Sequence, residues 1–91
     1  MPADVRDNPT HHRFELDVDG HLAVAYCKLS PGEITFTHTE VPPQLGGRGI
    51  GSKIAGGALD LVRSRGLNVV AECPFIAGFI DKHPEYSDLL K

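Results

Sequence analysis

The sequence predicts an α+β fold in a single domain, with antiparallel hairpin strands followed by a parallel β-α-β unit in the order β-β-β-α-β-α. Three observations lead to this class: apolar residues alternate early in the chain, they recur at helical spacing in its middle, and a short β-branched run follows the helical stretch. The 91 residues leave room for one small domain, residues 1–91, and a hydrophobic content of 41% is sufficient for a folded core.

An alternating pattern indicates the first hairpin. Residues 1–11 are polar and are expected to form a flexible lead-in, with the histidine pair at its end simply exposed. After them, Phe14, Leu16 and Val18 alternate with charged residues, which predicts a half-buried strand. The dipeptide Asp-Gly at residues 19–20 favours a type I′ turn, in which both central residues have positive φ angles, and so leads into a second, antiparallel strand.

The second and third strands are predicted over His21 to Leu29 and Glu33 to Thr39, with a Ser-Pro-Gly turn at residues 30–32 between them. The third strand is rich in β-branched residues and ends before the proline pair at residues 42–43, because proline cannot donate to a β-ladder. Alternation is expected to place three of its side chains on one face, which would leave the histidine half-buried: Ile34, Phe36 and His38.

A helix is predicted after the glycine-rich segment that follows. Its apolar residues recur every three or four positions: Ile50, Ile54, Ala58, Leu61 and Val62. Gly66 suits the position just past a helix end, where a positive φ angle is common. Leu67 to Cys73 is predicted to be a fourth strand, parallel to the third because strand-helix-strand crossovers are right-handed. A short helix over Phe75 to Ile80, with Phe75 in the core, and a helical turn over Glu85 to Leu90 complete the chain.

Charge and cysteine content narrow the possible functions. The net charge of −3, with scattered Lys and Arg, argues against a basic nucleic-acid-binding face. No apolar run approaches the ~20 residues that span a bilayer, and the first residues do not resemble a signal peptide. Two cysteines are too few for a disulfide scaffold, so a cytoplasmic protein without nucleic-acid or membrane partners is expected. The pairs His38 with Glu40 and His83 with Glu85 are too sparse to predict a metal site.

The glycine-rich segment predicts an anion site. Four of the six residues 46–51 are glycine, and they lie between the third strand and the helix. The first turn of a helix leaves backbone N–H groups without partners, its dipole adds about half a positive charge there, and glycine lets the backbone approach a bulky anion. A phosphate or pyrophosphate is therefore expected at this junction. The alternative is a flexible loop before an ordinary helix.

Two familiar nucleotide-binding motifs do not fit this segment. Gly46 and Gly51 have the spacing of a P-loop, but Ser52 precedes Lys53, which reverses the required order. A Gly-x-Gly-x-x-Gly fingerprint would need glycine at residue 52 or 54, and the preceding strands form hairpins rather than β-α-β units.

A third pattern does fit. Residues 44–49, Gln-Leu-Gly-Gly-Arg-Gly, match Gln/Arg-x-x-Gly-x-Gly/Ala, which is the acyl-CoA signature of the GNAT acetyltransferase superfamily. Three further segments, residues 37–42, 72–75 and 83–86, are similar to those of short single-domain GNAT-like proteins that keep the coenzyme-binding half of the fold. The resemblance extends from about Phe14 to Leu90.

The resemblance implies acetyl-CoA (coenzyme A) as the coenzyme. In the superfamily, backbone amides of the motif loop hold the pyrophosphate, and the pantetheine arm runs beside the strand before the loop. Carried onto this chain, the binding roles fall to Thr39, Val41, Gln44, Gly47, Arg48, Gly49, Ile50, Gly51, Ser52 and Lys53. The arm would lie where the third strand parts from the next parallel strand, so the thioester would be near His38, Glu40 and Cys73.

The resemblance also implies an N-acetyltransferase, an enzyme that passes an acetyl group to an amine. His38 or Glu40 is the candidate base, and a backbone N–H near Val41 is the candidate oxyanion donor. Cys73 could take the acetyl group first or simply line the thioester pocket, and Tyr86 is a weaker candidate for protonating the thiolate. The sequence has no counterpart of the N-terminal helices that shape the acceptor groove in larger relatives. The acceptor is therefore left open, as a protein lysine or a small amine, and so is the oligomeric state.

Two other functional classes stay open at this point. A non-catalytic module could bind acyl-CoA without transferring the acyl group. The loop Gly-Gly-Arg-Gly, residues 46–49, is also formally the Gly-x-x-Gly loop of a KH-like RNA-binding module. Plain structural roles compete with the catalytic ones as well, because Cys73 could be a small buried side chain and Arg48 and Lys53 could be solvated.

Overall fold

The computed structural model describes residues 5–47 and 49–90. The strands are β1 (Arg6–Asn8), β2 (Arg13–Val18), β3 (His21–Ser30), β4 (Glu33–Glu40) and β5 (Asn68–Ala71). The α-helices are α1 (Ile50–Ser64) and α2 (Pro74–Lys82), and short 3-10 helices span Pro9–His11, Pro43–Leu45 and Pro84–Leu89.

The strands form one sheet in the order β1-β2-β3-β4-β5. Antiparallel pairing joins β1 with β2, β2 with β3, and β3 with β4. After the crossover through α1, β5 pairs in parallel with β4. The turn between β2 and β3 has φ angles of 53° at Asp19 and 78° at Gly20, as the predicted type I′ turn requires. Gly66 follows α1 with a φ of 70°. The predicted α+β class, with antiparallel hairpins and a parallel β-α-β unit, is confirmed.

The lead-in expected over residues 1–11 contains a strand. Residues 6–8 form β1, which pairs with β2 and places Arg6 opposite Glu15. Asn8 Nδ2 donates to Glu15 Oε2 at 2.9 Å, and Arg6 forms an ion pair with Glu15 at 3.1 Å. The strand is therefore fastened by polar contacts to a buried carboxylate, and this explains why an apolar alternation could not reveal it.

Both α-helices pack on one face of the sheet, where alternate residues of β2 to β5 meet them in one hydrophobic core. Its largest fully buried side chains include Phe14, Leu16, Phe36, Ile54, Leu59, Val62, Val69 and Ile76. The face turned away from the helices, called the outer face here, carries Glu15, Val24, Tyr26 and His38. None of the helices in the described residues is long and apolar enough to cross a bilayer.

A β-bulge interrupts the pairing of β3 with β4. Tyr26 lies opposite His38, whereas the next β3 residue lies opposite Phe36, so Thr37 is an extra residue in β4. A bulge of this kind reverses the alternation of side chains beyond it. Ile34 and Phe36 are buried in the core, but the side chain of His38 is 61% exposed. The prediction that these three side chains share a face is therefore wrong.

The two parallel strands separate halfway along β4. Their register ends where Phe36 meets Ala71, and the carbonyl of Phe36 then accepts from the N–H groups of Glu72 at 3.1 Å and Cys73 at 2.9 Å. The chain next turns into α2, whose first residue is Pro74. Residues 37–40 of β4 consequently extend past the end of β5, which leaves a gap between the two strands.

Candidate functional site

The glycine-rich loop joins β4 to α1 at the edge of this gap. The 3-10 helix before it buries Leu45, whereas Gly46 and Gly47 are exposed. Gly47 has a φ of 80° and Gly49 a φ of 70°. This left-handed conformation costs an L-residue with a side chain roughly 1–2 kcal/mol. The backbone path therefore accounts for two of the loop glycines.

The N-terminus of α1 has no cap of its own. Gly49 is the N-cap residue, no side chain of the described residues caps the first turn, and no acidic residue lies in that turn. The N–H of Lys53 donates to the carbonyl of Gly49 at 3.1 Å. The amides of residues 50–52 come before this first helical bond, so they are left for an acceptor from outside the helix. Such an end of a helix favours an anion.

Phe75 covers this end of α1 instead of filling the core. A Cβ atom built on Gly51 would lie only 2.7 Å from Cζ of Phe75, so glycine is what allows the ring to lie on the first helical turn. The ring is 44% exposed because the inward side of α2 is occupied by Ile76, Phe79 and Ile80. The prediction that Phe75 is a core residue is wrong. With Val41 and the loop glycines, the ring lines an open depression of about 310 Å³.

The remaining predicted coenzyme contacts lie around the loop. Gln44, Ser52 and Lys53 are exposed, and Val41 is half-buried against the core. Ile50 is buried, so only its backbone can face the depression. Arg48 lies outside the described residues.

Cys73 and Thr39 meet in the gap between the parallel strands. Cys73 is 3% exposed and precedes α2, and its Sγ lies 3.3 Å from Oγ1 of Thr39. The bulge at Thr37 produces this contact, because it turns Thr39 to the helix side of the sheet. Thr39, predicted to bind the coenzyme, is thus in contact with Cys73, which was predicted to be catalytic.

His38 and Glu40 lie on the outer face. Nε2 of His38 is 3.2 Å from Oε2 of Glu40, and both side chains are largely exposed. The His38 ring stacks on Tyr26 with 6.3 Å between centroids and 14° between planes. The structure therefore brings two of the predicted catalytic residues together and places the third, Cys73, on the opposite side of β4.

A comparison with known protein families identifies the family of the chain. The model of the GCN5-related N-acetyl-transferase family matches residues 13–89. The chain belongs to this family.

A solved structure supports the same fold for this acetyltransferase domain. It is the solution NMR structure of a GCN5-like protein from Staphylococcus aureus, which is similar with a TM-score of 0.74 and 24% sequence identity. The match covers 100% of this chain and 90% of that one. At such identity the likeness shows the fold alone. No curated protein matches the sequence.

Tyr86, the weaker acid candidate of the acetyltransferase domain, and the nearby His83 have structural partners of their own. The hydroxyl of Tyr86 donates to Oδ1 of Asp60 at 2.8 Å, and burial together with this bond raises the pKa of Tyr86 to about 12. Nδ1 of His83 donates to the carbonyl of Phe79 at 2.8 Å, and the His83 ring stacks on Phe79 at 4.0 Å. Tyr86 is therefore poorly placed to protonate a thiolate in the gap, because its proton is directed to α1.

The acetyltransferase domain also has a groove on its outer face that the sequence did not predict. It has a volume of about 550 Å³ and lies over the bulge. Its lining includes His11, His12, Tyr26, Lys28, Thr37 and His38. Tyr26 and Lys28 alternate with the buried Cys27 along β3. This alternation was the feature of the sequence that could have indicated that both side chains lie on the outer face. Within residues 5–47 and 49–90, no three His, Cys, Asp or Glu side chains converge as a metal-binding group.

Proposed function

We propose that the protein binds acetyl-CoA at the loop of residues 44–53 and transfers its acetyl group to an amine. The observation that carries the proposal is the uncapped first turn of α1 behind a loop whose glycines have positive φ angles. Family membership supports the same ligand, since the model covers both the loop and the gap. The residues fit the coenzyme, because unpaired amides at a helix N-terminus suit its pyrophosphate.

The gap between β4 and β5 is proposed to hold the pantetheine arm. Residues 37–40 of β4 have no partner in β5, so their backbone groups on that side can bond to an extended amide chain as a further strand would. Thr39 and Val41 would then lie along the arm, with the thioester near Cys73. When bound, acetyl-CoA supplies an activated acetyl group on a good leaving group.

His38 is proposed as the base. As the acceptor nitrogen bonds to the acetyl carbon and the carbon–sulfur bond breaks, the amine must lose one proton and the departing sulfur must gain one. Glu40 accepts from the Nε2–H of His38, which leaves Nδ1 of that ring to take the proton from the amine. The stacked contact with Tyr26 favours this orientation of the ring. On the opposite side of β4, the hydroxyl of Thr39 and the thiol of Cys73 bond to each other, so one of them donates to its partner and the other can donate a hydrogen bond to the departing thiolate. The thiolate then takes its proton from water, while the proton of the amine leaves through His38.

Direct transfer is proposed in preference to an acetyl-cysteine intermediate. A nucleophilic cysteine needs a base or a cation that lowers its pKa. In the described part of the chain, the side chain of Cys73 bonds to Thr39 alone, and a neutral hydroxyl does not activate a thiol. The burial of Cys73 also keeps its thiol away from an acceptor on the outer face.

Calorimetric titration with acetyl-CoA tests the proposed coenzyme site. The unmodified protein is expected to bind acetyl-CoA with micromolar affinity. Gly49→Glu is expected to abolish that binding, because the carboxylate would occupy the pyrophosphate position and repel the anion. Gly32→Glu is a matched control, since Gly32 has a φ of 75° against 70° for Gly49 and neither has an atom within 4 Å of a built Cβ. The control should bind like the unmodified protein. Equal affinity of both variants would contradict the site.

A non-catalytic acyl-CoA-binding module is the alternative that remains. It would bind acetyl-CoA in the same titration but acetylate no amine. The exposed His38–Glu40 pair beside the gap favours catalysis, because binding alone needs no base there. The KH-like alternative has no support from the fold. A cytoplasmic location stays a proposal, in keeping with two free cysteines.

A further inference from the structure

The groove on the outer face, called the histidine groove here, differs in charge from the rest of the molecule. The protein has a net charge of −3, yet the described residues that line this groove include no carboxylate. They include Lys28 and three histidines, His11, His12 and His38. Lys28 is exposed and makes no ion pair with any other described residue. The groove therefore offers one ammonium group without an ion-pair partner among the described residues, with imidazole rings beside it that can donate hydrogen bonds to an anion.

The carboxylates around the histidine groove have partners of their own. Asp7 pairs with Arg65 at 2.7 Å, and Glu15 pairs with Arg6 and Arg13. These acids are occupied by basic partners, so they compete little for a ligand beside Lys28. Another carboxylate, that of Glu40, bonds to His38 at the end of the groove near the gap.

The histidine groove meets the proposed reaction centre through β4. His38 and Thr37 line the groove, and the next residue, Thr39, contacts Cys73 in the gap. A molecule lying in the groove would thus bring one end next to the proposed base. Its other end would extend along β3 toward Lys28, which is two residues beyond the position opposite His38. Two residues of a strand span about 7 Å.

We propose that the histidine groove selects an acceptor that carries an anionic group on the same molecule as the amine, roughly 7 Å from it. The amine lies beside His38, and Lys28 with His11 and His12 binds the anion. A carboxylate and a phosphate share the chemistry that these side chains recognise. This inference rests on the proposed acetyltransferase function, because it names the class of acceptor for that reaction.

Peptide binding tests the inference without requiring turnover. The probes are short peptides with blocked N-termini and one lysine, followed two residues later by Glu, phosphoserine, Gln or Arg. Their dissociation constants are measured by calorimetry in the presence of coenzyme A. The Glu and phosphoserine peptides separate the two sources of anion, and both are expected to bind at least ten-fold more tightly than the Arg peptide. Lys28→Glu is expected to reverse that order.

A matched charge change elsewhere controls for the net charge. Lys82→Glu alters the total charge equally, but Lys82 is exposed on α2 at the other side of the sheet, so the order of the peptides should persist. Equal binding of all four peptides, or an order that survives Lys28→Glu, would overturn the inference. Failure of the proposed function would be seen separately, as the absence of acetyl-CoA binding in its own titration. The order of the peptide dissociation constants is a different measurement.

Discussion

Two neighbouring residues of β4 face opposite sides of the sheet, and the proposed chemistry depends on that division. His38 lies on the outer face with Glu40 and Tyr26, while Thr39 contacts the thiol of Cys73. A base on one side and hydrogen-bond donors on the other can act at the two ends of the reacting thioester. The separation also means that the cysteine has no histidine to activate it, unlike the nucleophiles of cysteine hydrolases.

Cys73 is expected to stay unmodified during turnover. Cys73→Ala should retain acetyl transfer within about ten-fold of the unmodified protein, or about 1.4 kcal/mol in the activation free energy, because the thiol only donates a hydrogen bond. Intact-mass spectrometry after incubation with acetyl-CoA should show no acetyl group on this residue. Cys27 is an internal control, since burial raises the pKa of its thiol to about 11 and keeps it protonated.

An acetyl adduct on Cys73 that disappears on adding an amine would show an acetyl-cysteine intermediate and contradict direct transfer. An adduct on Cys27 as well would indicate non-specific chemistry at high acetyl-CoA concentration.

At the scale of the elements, α1 is where three parts of the molecule meet. Its glycines lie under different neighbours: Gly51 under Phe75, Gly56 beside Phe79, and Gly57 beneath Val5. A Cβ on Gly56 would lie 3.5 Å from Cζ of Phe79, an ordinary contact, whereas one on Gly57 would lie 2.7 Å from Cβ of Val5. Glycine inside a helix lowers its stability, so the close approach of the N-terminal segment explains its use at position 57.

Gly57→Ala and Gly56→Ala are therefore expected to have opposite effects. Each replacement improves helix propensity by about 1 kcal/mol. Gly56→Ala should keep most of that gain, but Gly57→Ala should force Val5 away, and overpacking of this kind costs about 1–3 kcal/mol. Urea denaturation of the two variants measures the difference in the free energy of unfolding. Equal stabilisation by both would mean that Val5 does not constrain the helix.

At the scale of the whole molecule, much of the fold was predictable because its strands and α1 follow simple periodicities. The loop between β4 and α1 was found from glycine spacing, and the Asp19-Gly20 turn from its dipeptide. The strand at residues 6–8 was missed because its contacts to Glu15 are polar, and the bulge at Thr37 because a β-branched residue carries no sign of it. The bulge changed the site most, since one extra residue exchanged the faces of His38 and Thr39.

Glu15 links β1 to the sheet, and its ionisation is expected to affect global stability. Burial is the largest single influence and opposes ionisation of its carboxyl, but hydrogen bonds from Arg13 and Asn8 and the charges of Arg13 and Arg6 together outweigh it and leave the pKa of Glu15 below its ordinary value. A lowered pKa contributes stability that is present above the unfolded-state pKa, about 4.3, and is lost as the pH falls through the folded-state value. Glu15→Gln should therefore lower the free energy of unfolding at pH 7 by about 1–3 kcal/mol.

Urea denaturation of Glu15→Gln and the unmodified protein from pH 7 to pH 3 checks this expectation. The difference between the two should narrow below about pH 4, since the unmodified carboxyl is then increasingly protonated. A difference that does not change with pH would attribute the effect to side-chain packing alone.

As the extra residue of the bulge, Thr37 is the place in β4 where the count of residues can fall by one without exchanging the two faces. Loss of its single codon would remove the bulge and restore regular alternation, with Phe36 still on the helix side, His38 on the outer face and Thr39 toward Cys73. A further codon gained there would instead exchange the faces of His38 and Thr39. Lineages of this gene should therefore accept an in-frame loss of codon 37 more readily than an in-frame gain beside it.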